Sequence, residues 1–73
     1  MPLNRITIDP NQMSGEPCIR GLRIPVATVL SMLNQMTIDE ILNAYPDLEK
    51  EDIAESIDFA AQSIRQKEIA INH

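Results

Sequence analysis

One histidine, one cysteine, eleven carboxylates and two glycines are the stock from which this chain would have to build catalytic chemistry. The histidine is His73, the last residue, and a terminal position holds neither a metal nor a nucleophile in fixed geometry. Cys18 has no histidine beside it in sequence to raise its thiolate fraction, and no His/Cys set with zinc spacing exists. It is expected to act as a small apolar residue near a strand. Gly15 and Gly21 are too few for a phosphate-cradling loop. The carboxylates fall mostly on what should be exposed helix faces, where solvation and capping are their ordinary roles. The expectation is a protein with no catalytic residues, no metal site, no cofactor and no enzymatic activity.

Charge then asks who the partner is. The 73 residues carry a net charge of −5, distributed unevenly. Residues 1–30 set Arg5, Arg20 and Arg23 against Asp9 and Glu16, whereas residues 31–73 hold three basic and nine acidic groups. The second half therefore suits a basic protein surface and not a phosphate backbone, which needs clustered Lys and Arg. If DNA is bound, the arm with Arg5, Arg20 and Arg23 is the place for it, since a ribbon can enter the major groove. The competing expectation pairs those arginines with nearby acids such as Asp9 and Glu16. No window approaches 18 consecutive apolar residues, so no membrane span is expected. A lone cysteine and a first decapeptide without an apolar core point to the cytoplasm.

The elements that must position these residues change character near residue 25. Before it the chain is extended: Ile6 and Ile8 alternate with Arg5 and Thr7 as in a half-buried strand, and Asp9-Pro10-Asn11 supplies a turn. Two further extended pieces bent at Gly21 follow, confined to edges by Pro17 and Pro25. From Val26 the period becomes helical. Val26, Val29, Leu30 and Leu33 predict a first helix over 26–33, and Thr37 three residues before Glu40 predicts a capping box opening a second that ends at Pro46. A third helix should run from about Glu49 or Lys50 to Gln66, with Ile53, Ile57, Ala60, Ala61 and Ile64 as its core stripe. The chain thus divides into an arm over 1–25, a three-helix unit over 26–67 and a frayed tail over 68–73, all in one domain. With no Trp, one Tyr, one Phe and eleven Ile, the fold class expected is mainly α, a helix-turn-helix-type unit behind a short extended or β-ribbon arm.

Helix three is a poor reader of a DNA groove, because Glu51, Asp52, Glu55 and Asp58 stand where donors are needed. Phe59 lies about 200° around that helix from Ile57, on the side that carries Glu55 and Gln62. It should meet the arm or form part of an interface. Glu51, Glu55, Asp58, Phe59 and Gln62 are accordingly the expected surface for a basic partner, and the arm with the Phe59 side the expected contact of a homodimer.

The run Ile6-Thr7-Ile8-Asp9-Pro10, then Gly15-Glu16-Pro17-Cys18-Ile19-Arg20-Gly21-Leu22-Arg23-Ile24-Pro25-Val26, then Tyr45-Pro46-Asp47-Leu48, resembles the family called domain of unknown function 433. The matching motif positions are Gly15, Pro17, Gly21, Arg23, Pro25, Tyr45 and Pro46. The resemblance implies a homeodomain-like three-helix fold and a VapB-type antitoxin acting beside a PIN-like ribonuclease toxin. This chain departs from the family at Leu22, where a threonine is usual, and at Asn34-Gln35-Met36, where a glycine is common. Asn34 is expected to supply a left-handed helix end there. The functional expectation is a non-enzymatic, antitoxin-like binding protein with possible autoregulation through DNA. Its alternatives are a stand-alone DNA-binding regulator and a structural or assembly module.

Overall fold

A computed structural model of the chain describes residues 4–67. Two short strands, β1 (Ile6–Thr7) and β2 (Cys18–Ile19), form an antiparallel ribbon with Ile6 opposite Ile19 and Thr7 opposite Cys18. Three helices follow: α1 (Val26–Met32), α2 (Ile38–Ala44) and α3 (Lys50–Lys67). The expected mainly-α unit behind a β-ribbon arm is what forms. The expected frayed tail, 68–73, lies outside the described residues, as does His73.

Local chemistry accounts for most boundaries. Pro25, extended at φ −67° and ψ 147°, is the N-cap of α1, so its missing N–H falls where a helix would leave one unpaired. Thr37 and Glu40 make the expected capping box, Thr37 Oγ1 accepting from Glu40 N and Glu40 Oε1 from Thr37 N. Tyr45 closes α2 ahead of Pro46. The link from α1 to α2 differs from expectation. Asn34 does not take the left-handed conformation; instead Asn34 N, Gln35 N and Met36 N donate to Ser31 O, Met32 O and Met32 O, and the helix tapers off through tighter turns.

The core is small and aliphatic: Ile19 from the ribbon, Val26 and Val29 from α1, Ile41 from α2, Leu48, and Ile53 from α3. Cys18 is buried beside it, as expected of a small apolar residue, and its thiol meets Glu16 O at 3.4 Å. Two expectations fail here. Ile8 is 60% exposed because the ribbon ends at Thr7 and the chain turns away. The face that α3 buries is also not the expected stripe. Ile53 is fully buried, but Ile57 and Ile64 are 46% and 64% exposed, while Asp52 and Ser56 are fully buried in their stead. The helix is rotated by several tens of degrees from the purely hydrophobic solution. A charge drawn inward, described next, makes that rotation stable.

Candidate functional site

The arm meets α3 at Asp52. Asp52 Oδ1 accepts from Arg5 Nη1 at 2.9 Å and from Arg20 Nε at 3.0 Å; Oδ2 accepts from Arg20 Nη2 at 2.9 Å and from Glu49 N at 2.8 Å. The last bond joins the third residue of the helix to its cap position, one half of a capping box. Arg5 Nη1 also reaches Glu49 Oε1 at 2.7 Å, and Arg20 Nη2 donates to Asp47 O at 2.7 Å. Arg5 N donates to Glu55 Oε2, so the backbone of the arm is fastened as well as its side chains.

Burial alone would push the Asp52 carboxyl up. Hydrogen bonds from Arg20, from the Glu49 backbone N–H and from Arg5 outweigh it and hold the group below the usual carboxylate range. Both guanidinium groups are in turn held more firmly protonated, Arg5 through Glu49 and then Asp52, Arg20 through Asp52. All four hydrogen bonds to Asp52 end on an anion, and they occupy its oxygens fully. An ion so saturated does not accept a substrate proton. Its chemistry is attachment. Ser56, one turn on, closes the buried strip by donating its hydroxyl to Asp52 O at 2.8 Å.

A strained turn aims Arg20. Leu22 N returns to Ile19 O at 2.7 Å across Arg20 and Gly21, whose φ values are +43° and +72°. Two consecutive left-handed residues are the mark of the tightest hairpin turn, and the first of them here carries a side chain. Gly21 pays nothing for its conformation; Arg20 does, and its guanidinium lands on Asp52. Gly21 N donates to Thr7 Oγ1 and Gly21 O accepts from Gln12 Nε2, so three segments meet at this bend.

The other motif positions have plain roles. Gly15 has φ +81° at the end of a left-handed turn that begins at Met13, Pro17 O accepts from Val26 N, and Pro25 bridges Cys18 across the ribbon. Tyr45 and Pro46 are exposed between α2 and α3, and Arg23 is exposed beyond the bend.

Of the arginines offered to DNA, Arg5 and Arg20 are gathered on Asp52, and Arg23 stands exposed outside that cluster. Arg5 and Arg20 do pair with acids, but with Asp52 and Glu49 of α3, not with their sequence neighbours Asp9 and Glu16. The expected partner surface is split too. Glu51 and Asp58 are exposed, Glu55 and Gln62 half-buried, and Phe59 packs against the core. Its ring lines a groove of about 310 Å³ together with Pro17, Val26, Leu30, Ala60 and Ile64. Asp52 is the residue that sequence reasoning misjudged, as one more exposed acid. Its signal was position: three residues after the cap, beside Ile53 and one turn before Ser56, a small polar residue fit to be buried.

A family model described as "Protein of unknown function (DUF433)" matches residues 6–60. The chain belongs to the DUF433 family. Those residues take in the ribbon, the bend at Arg20–Gly21, α1, α2 and the pairing of Arg20 with Asp52, while Arg5 lies one residue outside them. A solved structure of a DUF433 member protein from Anabaena variabilis ATCC 29413 is similar, with a TM-score of 0.77 and 33% sequence identity. The match covers 86% of this chain and 63% of that one, so the chain spans under two thirds of that relative's length. Comparison with curated proteins gives no match. Among the described residues no group of His, Cys, Asp and Glu is arranged to hold a metal ion, and no helix is long and apolar enough to cross a membrane.

Proposed function

We propose that this DUF433 member is a non-enzymatic binding protein, the antitoxin-like partner of a PIN-like ribonuclease toxin, and that it engages a basic protein surface through the acidic face of α3. The observation that carries the reading is how the arginines are engaged. Two carboxylates, Asp52 and Glu49, balance Arg5 and Arg20, so the arm presents only Arg23 as an exposed arginine outside that cluster. On α3, by contrast, Glu51 and Asp58 stand exposed with Glu55 and Gln62 beside them, and Lys50 is the sole cation between residues 48 and 64. In this reading a homeodomain-like scaffold is turned to protein recognition, since acids occupy the helix face that would otherwise meet base edges. It works in the reducing cytoplasm, where buried Cys18 remains a thiol.

The test is a pull-down and binding measurement with the product of the neighbouring gene. Glu51→Lys combined with Gln62→Lys should slow association and weaken its salt dependence. Unchanged affinity and on-rate for that variant would remove the acidic face from the interface. The regulator alternative predicts instead that Arg23→Ala lowers the salt slope of promoter-DNA binding by about one.

A further inference from the structure

The isoleucines left out of the core define a second surface. Ile57 and Ile64, 46% and 64% exposed, are separated on α3 by the half-buried Ala60 and Ala61. At about 100° per residue these four side chains share one stripe, roughly 140° around the helix from the face of Glu51, Glu55 and Gln62. Between residues 57 and 64 no charged residue falls on the stripe. An uncharged aliphatic strip with two large exposed side chains, on a chain of net charge −5, is a contact surface without its contact.

We infer that this strip pairs with the same strip of a second copy, the two α3 helices running antiparallel about a two-fold axis between Ala60 and Ala61. The order Ile57, Ala60, Ala61, Ile64 is symmetric under reversal. Antiparallel pairing therefore sets Ile57 against the partner's Ile64 and Ala60 against the partner's Ala61, bulky beside bulky at the ends and small beside small at the crossing.

Charge selects the second copy and its direction. Asp58 and Arg65 are both exposed and lie on the same flank of the strip, about 20° apart around the helix. A two-fold axis across antiparallel helices brings equivalent flanks together. Asp58 then falls within about 3 Å, measured along the helix, of the partner's Arg65, and the pair occurs twice. Parallel helices related by a two-fold axis along their length would instead place equivalent flanks on opposite sides of the seam, so Asp58 and the partner's Arg65 would not meet. The fully buried residues of α3 among those described, Asp52, Ile53 and Ser56, lie in its first half, and Phe59, which packs on the core farther along, points about 150° around the helix from the strip. Antiparallel helices carry their two bodies at opposite ends.

Sedimentation of the full chain tests this. The wild type is expected to be a dimer, and Ile64→Glu, at a position already exposed, should keep the circular dichroism spectrum while yielding monomer. Asp58→Arg and Arg65→Asp should each weaken dimerisation by about tenfold, and the double variant should recover it. Under oxidation Ala61→Cys should form a crosslinked dimer, buried Cys18 staying out of the reaction. Ala54→Cys should not, because antiparallel pairing places its two copies about 20 Å apart along the helices. A wild-type monomer at several hundred micromolar, a dimer indifferent to Ile64→Glu, or crosslinking through Ala54→Cys in place of Ala61→Cys would each overturn the inference.

Discussion

The two halves of α3 obtain their surroundings by different means. The first half is held by the arm: Asp52 takes two arginines, Glu49 one, and Glu55 the backbone N–H of Arg5. The second half runs on from the small core with Ile57 and Ile64 largely uncovered. A helix can thus bury a carboxylate and expose isoleucine when the charge has four hydrogen-bond donors and the apolar side chains lie on the wrong arc. Hydrophobic periodicity names the residues that want cover. It does not name what covers them.

Removing the anion breaks the contrast most severely. Asp52→Ala leaves two guanidinium groups facing each other and Glu49 N without an acceptor, and should destabilise the chain by about 3 kcal/mol in urea unfolding. Asp52→Asn should lose less, since an amide oxygen can still accept. Next comes a paired measurement within the helix. Ile53→Ala should cost about 2–4 kcal/mol, whereas Ile64→Ala should move the unfolding of the dilute chain by under about 0.5 kcal/mol. Equal losses at both positions would mean that the second half is packed as tightly as the first.

Acid sharpens the same comparison. Because the Asp52 carboxyl is depressed in the folded chain, its contribution is fully present above the ordinary aspartate value of about 4 and is lost as pH falls from there through the lowered native value. Thermal unfolding followed below pH 4 should therefore decline more steeply in wild type than in Asp52→Asn. The smallest effect concerns the bend. Arg20→Gly and Arg20→Ala both lose the ion pair, but glycine also relieves the left-handed residue, so the glycine variant should be the more stable of the two by about 1 kcal/mol.

Much of the fold was legible because its signals are local. The helical period from Val26, proline at the entrance to α1, and the Thr37–Glu40 spacing each act within a few residues, and each produced the element expected. The ribbon was legible from Pro17, Gly21 and Pro25 for the same reason. The candidate site was not. Arg5 and Arg20 could be seen to want acids, yet the acids closest in sequence, Asp9 and Glu16, are not the ones the fold brings near. Asp52 looked like an ordinary first-turn helix acid, and only its place three residues after the cap and one turn before Ser56 sets it apart from Glu51 beside it. Once Asp52 turns inward, Ile57 and Ile64 must turn outward, so one misplaced charge accounts for the misplaced stripe.

The attachment at Asp52 also carries an order of events. Arg5 and Asp52 are 47 residues apart in the chain and Arg20 and Asp52 are 32 apart, whereas each helix closes its bonds over three or four. Contacts of such separation form only after long loops have closed, so the helices should collapse first and the ribbon should dock onto a structure already in place. The attachment of Arg5 and Arg20 to Asp52 is then the last of these contacts to close.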